Sequence, residues 1–324
     1  MSRLVHLEEA NLHKYSIVPP KHSAGENCDT PEDLPRLPFG TGIACGKSGS
    51  GKTVAVVNFI ECMNFDRIFW VGHTIKSNKV LLDRLGKKLS PEDIFEDLDD
   101  LNIIDELRRR VEQEAKDLEQ WEKEMKRFRA MMKVIKSPNA LFQPDDDELQ
   151  FFNGKDFLPP VHKWGGRRPK LICVFDDALG STLFSKPRKL NALSTFSRHL
   201  GSFEDGRPAI GLNLFFLVQS LKAQAGGLTK VIRNQTKLWF IWKTHSKKEL
   251  EDLREAVAGE VQAKVFDQVI KQAHREPHDF LMIDLQWKPK IHLSPFRRNF
   301  DTYLVPPKAV KGKEVMESVK EINE

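Results

Sequence analysis

The chain has 324 residues, of which 40% are hydrophobic and 30% are charged, and its formal net charge is +5. These values exclude a globally disordered chain and fit one large α/β domain with insertions, or two small domains. No apolar run has the length of a membrane span, and the first residues lack the apolar segment of a secretory signal. The scattered cysteines form no CxxC pair, which indicates reduced thiols without a zinc site.

The first part of the chain predicts an irregular arm followed by alternating strands and helices. Residues 1–38 carry five prolines and form the arm. A first core strand is expected at 41–45, then a glycine-rich loop and a helix over 53–62. The apolar segment 67–71 predicts a second short buried strand.

The next hundred residues interrupt this alternation. From Ile104 to Ile135, apolar residues recur at spacings of three and four, interrupted by Glu114, and predict one helix of about 48 Å. Such a helix either contacts a partner or packs on its own domain, for example against residues 80–85. We favour packing on its own domain, because a single apolar seam can be buried within one chain. Residues 75–167 are therefore assigned as a largely helical insertion.

The alternation of short strands and helices resumes at Lys170. Continuous apolar runs predict buried parallel strands. A capping-box pattern at Ser246 and Glu249 predicts the start of a helix. A β-hairpin and a mobile tail are expected after the last helix. The expected strands are 171–175, 212–218 and 237–242, the expected helices are 183–200, 246–258 and one ending near 273, the hairpin spans 280–294, and the tail is 306–324.

A glycine-rich loop carries the clearest chemical signal. Its glycines let backbone N–H groups curl around phosphates, and the following helix points its positive end at the same place. Lys52 is expected to reach the β- and γ-phosphates, and the Thr53 hydroxyl to coordinate Mg²⁺. The sequence therefore predicts a site for ATP with Mg²⁺. The residues that match GxxxxGK[ST] are Gly46, Lys47, Ser48, Gly49, Ser50, Gly51, Lys52 and Thr53.

Polar side chains follow two of the predicted buried strands. Asp176 and Asp177 come after one strand, and Gln219 ends the next. Carboxyl ends of parallel strands face the ligand crevice, so Asp176 is expected to hold Mg²⁺ through water. Asp177 is expected to act as general base on the attacking water, and Gln219 to touch that water or the γ-phosphate. A strand between the two nucleotide-binding loops is typical of molecular motors rather than small-molecule kinases.

Two arginines compete for the stabilisation of transition-state charge. Arg198 lies about 22 residues after the aspartate pair, and Arg233 precedes a core strand. Either could enter a neighbouring subunit's site as an arginine finger. Most arginines are solvated surface residues, so both assignments stay open, while His199 is expected to be structural.

Several segments together resemble the poxvirus-type genome-packaging ATPases of large double-stranded DNA viruses and virophages, within the FtsK/HerA superfamily of P-loop NTPases. The segments are GKSGSGKT, LICVFDDALG, SRHLGS, LFFLVQS and VIRNQTKLWFIW, and the resemblance covers about 38–75 and 168–295. Arg198 and Gln219 match motif positions of the family, and Arg233 with Asn234 matches a later polar pair. The long helical insertion departs from the family pattern.

The resemblance implies a RecA/FtsK-HerA-like P-loop fold, with a mainly parallel central sheet flanked by helices, the helical insertion and a C-terminal β-hairpin. It places the ATPase domain at 39–305. The implied function is an ATP-driven translocase that packages double-stranded DNA into a capsid and hydrolyses ATP to ADP and phosphate. The resemblance also implies that the protein forms a homo-oligomeric ring and contacts a capsid or portal-vertex protein. No membrane partner is expected, and the expected location is the host cytoplasm or the virion.

Two other functions use the same loop. A nucleotide or nucleoside kinase also binds its phosphates on a P-loop, and an NTP-dependent switch protein would use the helical arm as its effector. A DNA pump additionally needs cations on the phosphate backbone. Candidate clusters for that contact are 163–170 (KWGGRRPK) and 186–189 (KPRK), each of which is equally compatible with a solvated loop.

Overall fold

The computed structural model describes most of the expected ATPase domain. The predicted arm before Leu34, most of the connection after the long helix and the tail after Pro306 lie outside the described residues. The described residues are 34–35, 40–135, 158–221, 227–244, 246–257, 263–288 and 292–306.

A nine-stranded sheet forms the centre of the described part, in the order β3-β2-β4-β5-β1-β6-β7-β8-β9. The strands from β3 to β6 are parallel, and the last three pair antiparallel. The strands are β1 Thr41–Cys45, β2 Arg67–Gly72, β3 Ile94–Phe95, β4 Leu171–Asp176, β5 Asn213–Val218, β6 Thr236–Trp242, β7 Phe280–Asp284, β8 Phe296–Arg298 and β9 Thr302–Tyr303.

Strand β5 lies between β1 and β4, as the sequence predicted. Thr41 of β1 pairs with Leu214, and Cys173 of β4 pairs with the same residue from the other side. The carboxyl ends of these three strands therefore meet at one edge of the sheet, where open α/β folds bind ligands.

Helices cover both faces of this sheet. They are α1 Lys52–Cys62, α2 Lys79–Leu82, α3 Ile103–Ile135, α4 Thr182–Ser185, α5 Arg188–Phe196, α6 Lys230–Gln235, α7 Lys247–Val257 and α8 Ala263–Ala273.

Alternate residues of each strand enter two separate cores, because successive side chains of a strand point to opposite faces. In β6, for example, Trp239 belongs to a core shared with α3, and Phe240 belongs to a core shared with α1. The central strands are buried along their whole length, which explains their unbroken apolar sequences. The structure thus confirms the predicted α/β fold class.

The long helix α3 packs its first half on its own domain. Leu107, Val111 and Leu118 are buried in the core on its face of the sheet, and the helix packs against α5. Residues 80–85 were the wrong partner, because Leu82 and Leu85 belong to the core on the opposite face.

A buried ion network explains why Glu114 interrupts the seam of α3. Glu114 accepts a hydrogen bond from Arg67 Nη1 at 2.8 Å, and Arg67 also donates to both carboxylate oxygens of Asp93 at 2.7 Å. Asp93 and Glu114 are nearly inaccessible, at 1% and 3% exposure. Removing one partner of such a network leaves an uncompensated charge, at a cost of about 3–5 kcal/mol. The polar interruption therefore anchors α3 to β2.

Two predicted elements differ from the structure. The expected helix over 183–200 is divided at Pro187, because proline lacks an N–H donor and excludes the helical conformation from Lys186, whose φ is −112°. The C-terminal hairpin exists, but the strand that pairs with β7 is β8, beyond the predicted 280–294. None of the described helices combines the length and apolar composition needed to cross a membrane.

Candidate active site

The glycine-rich loop connects β1 to α1, as predicted. Gly51 has a φ of 95°, in the left-handed region that favours glycine. A Cβ on Gly46 would lie 2.7 Å from the Cβ of Trp242, so this position has no space for a side chain. Glycine is therefore required at Gly51 by its backbone conformation and at Gly46 by the close approach of Trp242.

Lys52 folds back over the loop. Its Nζ donates to the carbonyl oxygens of Gly46 at 2.7 Å and Lys47 at 3.0 Å. Burial lowers the pKa of Lys52, and the nearby carboxylates of Asp177 and Asp176 oppose that shift. Two carbonyl oxygens at the start of the loop thus hold the ammonium in place.

The hydroxyl of Ser50 is a buried donor in this loop, and its Oγ has no hydrogen-bond partner among the described residues. Unpaired buried hydroxyls are unfavourable, so they commonly indicate a missing ligand or water. A phosphate oxygen on the loop would satisfy it.

Asp176 ends β4 and is almost fully buried, with 3% exposure. Thr74, two residues after β2, donates its hydroxyl to Asp176 Oδ2 at 2.8 Å. Burial raises the pKa of Asp176, and the hydrogen bond from Thr74 partly offsets that effect. A desolvated carboxylate of this kind is stabilised by a nearby cation.

Asp177 and Gln219 form a hydrogen-bonded pair at the ends of neighbouring strands. Gln219 Nε2 donates to Asp177 Oδ1 at 2.8 Å, and both residues are exposed. Asp177 has a φ of 51°, a left-handed conformation that aspartate tolerates better than most residues. The two neighbouring carboxylates therefore differ in exposure, since Asp177 is exposed while Asp176 is buried.

One cavity of about 850 Å³ brings these groups together. It is lined by the loop from Ser48 to Thr53 and, on one side, by the four residues Thr74, Asp176, Asp177 and Gln219, which we call the carboxylate wall. The opposite side is lined by His278, Phe280, Asn299 and Phe300, which we call the aromatic wall.

Sequence reasoning missed Thr74 and the whole aromatic wall. Thr74 follows a parallel strand, so the rule that identified Asp176 would also have found it. His278 contacts the loop through Nδ1, 3.3 Å from the Ser50 carbonyl oxygen, and its own carbonyl accepts from Trp242 Nε1 at 3.0 Å. No local pattern signals these contacts, because the C-terminal antiparallel strands create them.

Neither candidate arginine lines this cavity. Arg198 is exposed and follows α5, and the N–H of Leu212 donates to the Ser197 carbonyl at 2.9 Å, which places Arg198 near the amino end of β5. The loop lies at the carboxyl end of the neighbouring strand. Arg233 is half-buried on α6 and donates to the Leu221 carbonyl at 3.4 Å.

In the first basic cluster, 163–170, the arginines bond to other residues of the same domain. Arg167 pairs with Asp66 through two hydrogen bonds of 2.5 and 2.7 Å, and Arg168 donates to the Pro208 carbonyl at 2.6 Å. The second cluster is more accessible. Lys186 and Arg188 are exposed.

The fold and the site together define the class of this protein. Strand β1 leads into the glycine-rich loop and helix α1, and the acidic strand β4 lies on the far side of β5 in the same parallel part of the sheet. This arrangement is that of a P-loop NTPase fold.

Comparisons with known proteins add structural neighbours. No protein-family model and no curated protein matches the chain. The genome-packaging NTPase B204 from Sulfolobus turreted icosahedral virus 2, in complex with sulfate, is similar over 82% of this chain and 98% of its own, with 13% identity and a TM-score of 0.41.

Two further neighbours are ATP-binding or ATPase proteins. The pCW3 conjugation coupling protein TcpA, in its monomer form with ATPγS, covers 75% of this chain and 57% of its own at 17% identity and a TM-score of 0.36. EccC of Thermomonospora curvata (ATPases 2 and 3) is similar over 86% of this chain and 38% of its own, at 12% identity and a TM-score of 0.37. These scores are too low to support conclusions about function, which rest on the geometry and the sequence.

Proposed function

We propose that this protein hydrolyses ATP to ADP and phosphate with Mg²⁺ and uses the energy to move double-stranded DNA into a viral capsid. The observation that carries the ATPase part is the cavity that joins the phosphate-binding loop to Asp176, Asp177 and Gln219. The packaging part rests on the sequence resemblance and on the position of β5 between β1 and β4.

The loop residues bind the triphosphate in this proposal. Backbone N–H groups between Gly46 and Thr53 surround the phosphates, and Lys52 exchanges its carbonyl partners for β- and γ-phosphate oxygens. A strongly charged ligand compensates the burial that lowers the pKa of this lysine.

The donor set fits Mg²⁺ brought in with the nucleotide. Mg²⁺ prefers oxygen ligands and commonly takes one or two from the protein, with the rest from phosphates and water. Thr53 offers a hydroxyl and Asp176 a buried carboxylate, while the described residues hold no group of three acidic, His or Cys side chains that would form a metal cage. When bound, the cation would neutralise charge on the phosphates, and Asp176 would hold it through water.

Asp177 and Gln219 are assigned to the attacking water. Asp177 is exposed at the cavity and lies directly after the residue assigned to the cation, so its carboxylate is placed to accept a proton from water. Gln219 is hydrogen-bonded to Asp177 and orients the same water or contacts the γ-phosphate.

The architecture favours a motor over a small-molecule kinase, because one strand separates the loop strand from the acidic strand. We propose an ATPase domain over 39–305, assembled as a homo-oligomeric ring with a capsid or portal-vertex protein as its partner. Such a protein acts in the host cytoplasm or the virion and grips DNA through phosphates, without sequence preference.

The test of this function is ATP turnover with and without double-stranded DNA of several sequences. We expect stimulation by every sequence and its steep loss with added salt, because contacts to phosphates release counterions. Equal turnover with and without DNA at all salt concentrations would favour a kinase or a switch protein.

A paired charge reversal locates the DNA contact. Lys186→Glu with Arg188→Glu should reduce the stimulation, and a glutamate in the first turn of α5 is compatible with the helix dipole. The control, Lys264→Glu with Lys271→Glu on α8, makes the same change in net charge. Equal losses in the two proteins would indicate a general charge effect.

The arginine finger is tested by mixing inactive subunits. Neither Arg198 nor Arg233 lines its own chain's cavity, so a catalytic role requires action in a neighbouring subunit. Arg198→Ala should bind ATP but hydrolyse it about 10³-fold more slowly or worse. Mixed with Lys52→Ala, it should regain partial turnover, since some interfaces then pair an intact loop with an intact Arg198. The same mixing with Arg233→Ala tests Arg233 as the finger. If rings that exchange subunits do not recover turnover, the arginine substituted in that mixture is not the finger.

A further inference from the structure

Arg198 lies in the short segment 197–201, which follows α5 and which we call the Arg198 segment. Three backbone N–H groups of residues 210–212 donate to carbonyl oxygens of this segment, at 2.9 to 3.0 Å. The Arg198 segment is thereby fixed to the backbone that enters β5, and residues 202–209 form the loop between the two bonded stretches. Contacts of that loop therefore restrain the backbone that carries Arg198.

Helix α3, the main element of the helical insertion, lies directly against the Arg198 segment. A Cβ on Gly201 would lie 2.8 Å from the carbonyl oxygen of Val111, so the two backbones approach too closely for a side chain. Gly201 also has a φ of 64°, in the region that favours glycine. Leu200 and Phe203 are buried in the same core as Val111. The insertion thus provides part of the surface on which the Arg198 segment packs.

Two glutamates of α3 hold the loop that follows the segment. Glu122 accepts two hydrogen bonds from Arg207, one from Nη1 at 2.6 Å and one from Nη2 at 2.7 Å. Glu119 accepts a hydrogen bond from the backbone N–H of Glu204 at 3.0 Å. A bidentate arginine–carboxylate pair fixes geometry as well as adding energy. These bonds therefore define the position of the loop relative to α3.

The side chain of Arg198 is exposed and lies outside the cavity of its own chain. Its Nε donates to Nε2 of His199 at 2.9 Å, and the Ser202 hydroxyl donates to the His199 carbonyl oxygen at 2.6 Å. An arginine that acts in a neighbouring subunit must be presented accurately, because a misplacement of about 1 Å can cost about a hundredfold in rate. The backbone beneath Arg198 must therefore be held in one position.

We propose that the helical insertion positions Arg198 for the active site of a neighbouring copy of this chain, with Glu122 as the positioning residue. The proposal rests on the proposed function and assigns a role to the insertion. Glu122 acts through Arg207 and the loop 202–209, while Arg198 contacts the nucleotide of the next subunit. The insertion on one subunit therefore serves the reaction on its neighbour.

The experiment mixes two inactive subunits in one ring. The Lys52→Ala subunit supplies only Arg198, and the Arg198→Ala subunit supplies only a phosphate-binding loop. Glu122→Arg is then added to one of these two subunits at a time, where it places a second cation against Arg207 and breaks the pair. The control is Glu112→Arg, at an exposed position of the same helix, which makes the same change in net charge.

On the Lys52→Ala subunit, Glu122→Arg should reduce the recovered turnover about tenfold or more, with the KM for ATP unchanged. On the Arg198→Ala subunit, it should leave the recovered turnover unchanged, because that subunit has no arginine to position. Adding Arg207→Glu to the Glu122→Arg subunit reverses the ion pair and should restore part of the turnover. The control should have no effect on either subunit.

Equal turnover with Glu122→Arg on either subunit overturns the positioning role, because a merely structural defect does not depend on which subunit carries it. If Glu122→Arg does not fold, Arg207→Gln decides by the same comparison, since it removes the bidentate pair without adding a like charge. Failure of the proposed function has a different signature. The two parent subunits, mixed without a third substitution, would then recover no turnover although their rings exchange subunits, and the inference would fall with the finger.

Discussion

The two walls of the cavity are built by different kinds of structure. The carboxylate wall stands at the ends of the parallel strands β2, β4 and β5, and its side chains bond mainly to one another, as Thr74 does to Asp176. The aromatic wall comes from the antiparallel strands β7 and β8 and the turns around them, and Phe280 and Phe300 join the core beneath α1.

We infer from this difference that the carboxylate wall serves the chemical step and that the aromatic wall serves stability and ligand binding. Asp177 and Gln219 are exposed and contribute little to burial, so we expect changes there to alter turnover more than stability. The aromatic wall packs directly on the core, so changes there should alter stability and ligand affinity more than the chemical step. Each prediction below tests that division.

The largest expected effect is that of Lys52→Ala, at the loop between the two walls. ATP turnover should fall to background while the thermal unfolding temperature stays close to that of wild type, because the proposed function assigns the ammonium to the phosphates and in the structure it donates only to carbonyl oxygens of the loop among the described residues. Turnover and thermal melts of the purified protein test this, with the exposed Lys87→Ala as control. Normal turnover in Lys52→Ala would reject the assignment of the loop.

On the carboxylate wall, Asp177→Asn should reduce the turnover number about a hundredfold or more with nearly normal ATP binding. Asparagine tolerates the left-handed backbone at this position as aspartate does, so the substitution isolates the charge. Asp176→Asn should instead weaken the Mg²⁺-dependent part of nucleotide binding. If titrations showed the same binding defect in both variants, the division of roles between them would be wrong.

On the aromatic wall, Asn299→Ala should lower the free energy of unfolding by about 1–3 kcal/mol. Asn299 accepts from the Phe280 N–H at 3.1 Å and donates to Asp279 Oδ1 at 2.8 Å, with a φ of 53°. Denaturant unfolding measures the loss. The exposed Asn64, at a φ of 52°, is a matched control, because Asn64→Ala reports the backbone cost without those hydrogen bonds.

The two asparagine variants separate the contribution of the side-chain hydrogen bonds from that of the backbone. The excess loss in Asn299→Ala over Asn64→Ala gives the contribution of the two side-chain bonds. Turnover per folded molecule should fall less in Asn299→Ala than in Asp177→Asn. A larger fall in turnover would place Asn299 in the catalytic step and remove the separation between the walls.

Elements in which local pattern and burial agree could be predicted from the sequence. The buried strands β1, β4, β5 and β6 appear as continuous apolar runs, because strands covered on both faces exclude polar residues. The loop from Gly46 to Thr53 was evident because its backbone conformation demands glycine. Asp176 and Asp177 were evident because they directly follow a buried strand.

Contacts between distant segments could not be predicted from local patterns and are seen only in the folded chain. Glu114 appeared as a defect in an apolar seam, yet Arg67 and Asp93 make it part of a buried network that joins α3 to β2. His278 reaches the loop and Phe300 lines the cavity because β7 and β8 add to the sheet beyond β6. Such contacts depend on strand order and on packing between residues far apart in the chain, and neither leaves a pattern in the local sequence.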